Sequence, residues 1–220
     1  MSEKVEKALM DSILTGTFPP GNPLPSEREL AAKFSVTRPT VREALQRLSR
    51  DGWIAVRQRR ATIVNDFWAK GNLNVLSAIA GGATSLPPDF VIQLLEFRAV
   101  IAPDYARKAV QNHSLQLVGC LARTNELGDD PRGFMDFDWE LHRTMAILSE
   151  NRIHPLILNS FTELYFRMAA RYFAAEDCRE ASRRFYKALL KAAVDEDAPR
   201  AGEITRLAME ESLLLWRRSL

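Results

Sequence analysis

Apolar side chains recur at helical spacing along almost the whole chain, and the pattern becomes extended in only one short stretch. Val5, Leu9 and Ile13 stand four residues apart, so they share one face of a helix predicted over Lys4 to Leu14. Gly16 and the run Phe18-Pro19-Pro20-Gly21-Asn22-Pro23 end it and force a rigid turn. Ser26 and Glu29 have the spacing of a capping box, which starts a short second helix that buries Leu30, Ala31 and Phe34 and stops near Ser35. Thr37 is placed to cap a third helix, and Pro39 falls in its first turn, where a missing amide hydrogen costs little. Val41, Ala44, Leu45 and Leu48 form the buried stripe of that third helix. After Asp51-Gly52 the spacing changes: Trp53-Ile54-Ala55-Val56-Arg57 and Ala61-Thr62-Ile63-Val64 flank a polar tip at Gln58-Arg59-Arg60, the pattern of a β-hairpin. Three helices followed by a hairpin predict a winged helix-turn-helix.

Beyond the hairpin no strand pattern competes. Helical stretches are predicted at about Asn74 to Ala80, Asp89 to Gln111, Ser114 to Glu126, Gly133 to Ser149, Pro155 to Phe173, Arg179 to Val194 and Asp197 to Leu220. They are divided by Gly81-Gly82, Pro87-Pro88, Gly128-Asp129-Asp130-Pro131 and Asp195-Glu196-Asp197. The fold class expected is therefore mainly α, a winged helix-turn-helix of three helices and a hairpin wing followed by an all-α antiparallel bundle of about seven helices. The expected division is residues 1–66 for DNA binding, 67–74 as a linker whose Phe67, Trp68 and Leu73 suit packing on a domain, and 75–220 for effector binding and dimerisation.

With 220 residues, 46% hydrophobic and 26% charged, the chain has the balance of a globular protein large enough for two domains. Met1 to Lys7 is charged and no apolar run reaches about 18 residues, and the two cysteines, Cys120 and Cys178, lack a ligand spacing; a cytoplasmic protein with reduced thiols is expected. The net charge of +2 says little, but between Arg28 and Arg60 nine Lys and Arg face three acids. A basic helix start beside a basic hairpin tip is arranged to meet a polyanion, with helix amides and guanidinium forks toward phosphates and base edges. Double-stranded DNA is the expected macromolecular partner.

The run Leu24-Pro25-Ser26-Glu27-Arg28-Glu29-Leu30, continuing through Val36-Thr37-Arg38-Pro39-Thr40-Val41-Arg42-Glu43-Ala44-Leu45 to Leu48 and Asp51-Gly52-Trp53, closely resembles the DNA-binding domain of the GntR family of bacterial regulators. The resemblance implies phosphate contact by Arg28 and base or backbone contacts by Arg38 and Arg42, with Thr37 and Thr40 assisting. That family usually has glycine at the wing tip; here Gln58, Arg59 and Arg60 occupy the tip and are the candidate wing contacts.

In the helical part, Arg98 lies on the apolar segment Leu94 to Ala102, where a buried guanidinium requires an acceptor. Asp138 and His142 are four apart and share a helix face, spaced either as an ordinary hydrogen-bonded pair or as half of a metal site. Tyr165, Tyr172, Tyr186 and Trp216 are amphipathic groups on long helices, each of which alone also suits an interface or a core edge. The linker and bundle resemble the FadR subgroup of the same family, fatty-acid-responsive regulators, through Asn65-Asp66-Phe67-Trp68, Leu73-Asn74-Val75-Leu76, Pro155-Leu156-Ile157-Leu158-Asn159, Leu164-Tyr165-Phe166-Arg167 and Arg171-Tyr172-Phe173-Ala174. By position that resemblance implies acyl-CoA contacts at Arg98, Tyr172, Ser212 and Trp216, and it places Met209 where the subgroup has glycine. A related metal-binding branch pairs an Asp-x-x-x-His helix with two further histidines. Asp138 and His142 match its first half, while the other positions fall at Tyr186 and about Ala208, so no resident metal or cofactor is expected. A homodimeric regulator released from a palindrome by an acyl-CoA is the leading expectation, and a sensor of a small carboxylate, with or without a metal at Asp138 and His142, is the alternative. The remote alternative is a helical-bundle enzyme with Asp138 and His142 as acid and base, against which stands the want of an activated nucleophile, a Gly-rich phosphate loop or a full metal set; no enzyme is expected.

Overall fold

The computed structural model describes residues 1–56, 60–82 and 89–219, which fall into two compact units, Met1–Pro87 and Pro88–Leu220. The first unit begins with α1 (Ser2–Leu14), α2 (Glu27–Phe34) and α3 (Arg38–Asp51). The capping box forms as its spacing predicts: the Ser26 side chain accepts from the Glu29 amide at 3.3 Å, and the Glu29 carboxylate accepts from the Ser26 amide at 2.8 Å. Such a cap contributes about 1 kcal/mol to helix stability. The helix then stops at Ser35, which adopts the left-handed conformation at φ 52°. At α3 the Thr37 hydroxyl accepts from the Thr40 amide at 3.4 Å and Pro39 sits in the first turn.

The third helix ends at Gly52, whose φ of 96° lies in the left-handed region. An added Cβ there would come within 3.0 Å of the Lys70 carbonyl, so this turn admits only glycine without displacing backbone. The chain reverses into β1 (Ile54–Ala55) and β2 (Ile63–Val64), antiparallel with Ile54 opposite Val64 and Ala55 opposite Ile63. The breaker segment after α1 adds a bridge to this hairpin, Pro23 to Ile63, with the Leu24 amide donating to the Thr62 carbonyl at 2.8 Å. Thus the Pro-rich turn closes the far side of a short ribbon. Val5, Leu9, Leu30, Val41, Leu48, Trp53 and Ile54 fill the core of this unit.

The segment expected as a linker is structured. Asp66 caps α4 (Phe67–Lys70), Phe67 is buried with its ring 5.0 Å from that of Trp53, and Asn74 donates to Asp51 at 2.9 Å. α5 (Leu73–Gly82) follows and clusters with the first unit.

The second unit is all-helical among its described residues: α6 (Phe90–Ala122), a 3-10 turn (Arg123–Glu126), α7 (Pro131–Leu148), α8 (Ile153–Asn159), α9 (Thr162–Ala174), α10 (Glu176–Val194) and α11 (Ala198–Arg218). The helices predicted over Asp89 to Gln111 and Ser114 to Glu126 are two helical segments that meet at a kink within α6, where His113 leaves helical geometry at φ −149°, ψ 47°. The helix predicted over Pro155 to Phe173 is two, separated at Ser160 and Phe161. α6 is the central element, packed against α7, α10 and α11. Gly202 allows its closest approach to α11, since a Cβ there would lie 3.3 Å from the Pro103 carbonyl. A continuous core from Ala102 through Phe134, Leu141, Phe173 and Leu189 to Ile204 holds the bundle together. No described helix is long and apolar enough to cross a membrane.

Candidate effector cavity and DNA-facing surface

The starts of α2 and α3 lie side by side, joined by a two-point ion pair in which Arg42 Nε and Nη2 donate to Glu27 at 3.1 and 2.7 Å. Those hydrogen bonds hold the Glu27 carboxyl below its ordinary range despite some desolvation. Thr37 and Arg38 are exposed on the same turn, Thr40 is half-buried with its hydroxyl 2.9 Å from that of Thr37, and Arg28 is exposed in the first turn of α2. The remaining arginines of α3 are spent within the unit: Arg47 meets Glu43 at 2.7 Å and Glu6 at 3.5 Å, and Arg50 meets Asp51 at 2.9 Å. Among the described residues Arg28 and Arg38 make no ion pair, so uncommitted positive charge is left where two helix N-termini meet. Arg60 is exposed; Gln58 and Arg59 lie outside the described residues.

In the second unit a cavity of about 120 Å³ runs between α6, α7, α9, α10 and α11, walled largely by apolar groups such as Leu94, Ile101, Leu164, Phe185 and Met209. The four residues that the resemblance assigns to acyl-CoA, Arg98, Tyr172, Ser212 and Trp216, line it, as do three further candidates of the helical part, Asp138, His142 and Tyr165. The remaining candidate, Tyr186, is buried behind the wall and donates to Asp138 Oδ1 at 3.0 Å. Asp138 is the hub. Its Oδ2 accepts from Arg98 at 3.2 Å and from the Tyr165 hydroxyl at 3.0 Å. This is the acceptor that the Arg98 guanidinium required. Burial opposes ionisation of Asp138, but the His142 ring, Arg98 and the two tyrosine hydroxyls outweigh it and hold the carboxyl below its usual range.

His142, four residues on, does not hydrogen-bond to Asp138: its Nε2 lies 3.8 Å from Oδ1, too far. Its Nδ1 instead meets the hydroxyl of Tyr105 at 2.6 Å. Burial, reinforced by the charge of Arg98, pushes the imidazole down to about 3, so it is neutral at physiological pH. Tyr105, fully buried and with its pKa raised by burial, was not among the predicted residues. Its signal was the seven-residue step from Arg98, two helical turns along the same face.

Two buried donors find no partner among the described residues, His142 Nε2 and Trp216 Nε1, and both belong to the cavity wall. Outside the wall Arg171 stacks over the Trp216 ring at 5.3 Å and donates to the Ser219 carbonyl. The Ser212 hydroxyl donates to the Met209 carbonyl at 2.8 Å and is committed to its own helix. The largely apolar lining thus includes a cation, Arg98, and two residues whose covered ring nitrogens are unpartnered among the described residues, His142 and Trp216. That arrangement suits an apolar ligand carrying oxygen acceptors.

Metal binding finds little to use here. Among the described residues no group of three His, Cys, Asp or Glu side chains is placed to hold an ion, and the Asp138 oxygens already accept from Arg98, Tyr165 and Tyr186. The Ser149, His154 and Asp104 grouping nearby is not a nucleophile set. Ser149 is buried and its hydroxyl donates to the Ala146 carbonyl at 2.7 Å, so the imidazole 2.9 Å away cannot take its proton.

Residues 1–64 match the family described as bacterial regulatory proteins, gntR family, and residues 65–220 match the FadR C-terminal domain. The fatty acid metabolism regulator protein of Shewanella halifaxensis (strain HAW-EB4) is 39% identical over 212 residues, covering 96% of this chain and 89% of that protein. The protein of the same name from Shewanella sp. (strain MR-7) is 41% identical over 184 residues, covering 84% and 76%. A solved structure described as "Lar controls the expression of the Listeria monocytogenes agr system and mediates virulence" aligns with a TM-score of 0.58 at 16% identity over 99% of this chain and 97% of that one, a likeness of fold alone.

Proposed function

This chain belongs to the GntR family of bacterial regulators and carries a FadR C-terminal domain, and from that premise we propose that a long-chain fatty acyl-CoA, held in the helical unit, is the effector that releases it from its operator. As a member of that family it is a DNA-binding transcription regulator and not an enzyme. The observation that carries the effector reading is the cavity: largely apolar walls whose lining includes Arg98 and the residues of two buried nitrogens unpartnered among the described residues, His142 and Trp216. An acyl chain supplies the apolar surface and its thioester the oxygen.

The empty space is close to the roughly 150 Å³ of an engineered cavity that admits benzene, and short of the roughly 300 Å³ at which ligand pockets commonly begin. A long acyl chain therefore enters by displacing wall side chains or helices. That requirement gives the effector differential affinity for a widened state, which is what a population shift needs. The widened state has the lower operator affinity. On the DNA side, two copies read the halves of a palindrome, each with Arg28, Arg38 and Arg42 at the helix starts, Thr37 and Thr40 beside them, and Gln58, Arg59 and Arg60 from the wing.

The test takes a duplex selected by the protein from a random pool, follows its complex by fluorescence anisotropy, and titrates with dodecanoyl-CoA. Dissociation of the complex at micromolar ligand, about −8 kcal/mol of binding, with no response to CoA alone, is expected. A complex that ignores acyl-CoAs of every length would remove this effector class.

A further inference from the structure

The buried His142 Nε2 has no partner among the described residues, and a group of that kind in a packed interior calls for an explanation. Its tautomer follows from its neighbours. A guanidinium has only donors, and that of Arg98 acts on the Tyr105 hydroxyl, so the phenol oxygen turns its lone pairs toward Arg98 and its proton toward His142 Nδ1, 2.6 Å away. Nδ1 is then the acceptor, and the ring's own proton resides on Nε2. The carboxylate of Asp138 favours the proton on Nε2 electrostatically without bonding it, because 3.8 Å is beyond hydrogen-bond range. The result is a neutral N–H donor, fixed in orientation by Tyr105, on the wall of an otherwise apolar cavity.

We propose that His142 Nε2–H is the donor that reads the carbonyl oxygen of the effector's acyl group, and that Tyr105 is the positioning residue that holds His142 in the donating tautomer. This rests on the acyl-effector reading above and sharpens it. The site recognises the carbonyl as well as the hydrocarbon, so an alkyl chain of equal length lacking that oxygen leaves His142 unpaired and binds worse. A neutral donor suits an uncharged thioester oxygen, which demands no counter-ion.

The experiment compares dodecanoyl-CoA with its thioether, S-dodecyl-CoA, by isothermal titration against the full chain. Wild type should prefer the thioester by about tenfold to a hundredfold, the loss expected when a buried donor is left unmade. His142→Phe should bring the ratio to within about threefold of unity, while His142→Gln, whose amide can donate from a similar position, should retain most of it. Tyr105→Phe should give an intermediate ratio, and it carries the test if His142→Phe does not fold. A wild type that binds both ligands equally, or a His142→Phe or Tyr105→Phe protein with the wild-type ratio, overturns the proposal while leaving the acyl effector standing. Wild type that binds neither ligand overturns both.

Discussion

Arg42 and Arg98 are each paired with a carboxylate, in surroundings that give the two pairs opposite uses. The side chains of Arg42 and Glu27 are 60% and 35% exposed, whereas those of Arg98 and Asp138 are 21% and 8% exposed. Water screens the first pair, so on the proposed DNA-facing role of Arg42 an exchange of Glu27 for a phosphate would cost little. The second pair has surrendered its hydration, and the remaining exposure of Arg98 is toward a cavity that it lines. Exposed charge is available to a partner at small cost. Buried charge serves only a ligand that reaches it, and otherwise fixes the architecture around itself.

The sharpest way to break this comparison is to remove the acid from the buried pair. Asp138→Asn keeps the shape but turns one acceptor oxygen into an NH2 donor and strips the charge that compensates Arg98, and breaking a buried pair of this kind typically costs about 3–5 kcal/mol. Urea unfolding should show a loss in that range. Arg98→Met in the same background should restore part of it, since no uncompensated cation then remains. A single Asp138→Asn protein within about 1 kcal/mol of wild type would mean that the cluster is wetter than its burial implies.

Acid should find the same cluster next. His142 has an ordinary pKa of 6.5, reduced to about 3 in the fold. Between those values the unfolded chain binds a proton that the folded chain refuses. The contribution is therefore complete above pH 6.5 and is lost as pH falls toward 3, at up to about 1.4 kcal/mol per pH unit. His154, whose pKa is lowered by partial burial, acts in the same sense, and the depressed Asp138 extends the loss to still lower pH. Denaturation curves at pH 7, 6, 5 and 4 should show falling stability, and His142→Phe should flatten that dependence. An unchanged slope in the variant would place the sensitivity elsewhere.

How much of this was legible in the chain depends on the range of the interactions. Ser26 with Glu29 and Thr37 with Thr40 act within four residues, so spacing alone located the starts of α2 and α3. The boundary between α8 and α9 was not legible. Apolar periodicity runs through it without Gly or Pro, while Ser160 and Thr162 turn their hydroxyls back onto the Leu156 and Asn159 carbonyls. The break inside α6 was legible by contrast: the two predicted helical stretches meet at His113, the residue that leaves helical geometry. For the cavity, the residue types were readable but their connections were not. Arg98 meets Asp138 forty residues along the chain, Tyr186 arrives from another helix, and Tyr105 was indistinguishable from core until His142 stood beside it.

At the surface the same comparison predicts smaller effects and a separation of roles. Arg38→Ala should weaken operator binding by about 1–3 kcal/mol in anisotropy titrations, with helical content by circular dichroism unchanged, because the side chain is exposed and unpaired among the described residues. Glu27→Gln removes the acid of the exposed pair and should change folding stability by less than about 1 kcal/mol, against the several expected at Asp138. Its effect on DNA should be opposite in sign to that of Arg38→Ala. A negative charge beside the phosphates disappears and Arg42 is released from its two-point contact, so affinity should rise modestly, most visibly at low salt. If Glu27→Gln instead weakens binding at every salt concentration while Arg42→Ala weakens it no further in the same background, Glu27 is aiming the Arg42 fork at its target, and the exposed pair is as architectural as the buried one.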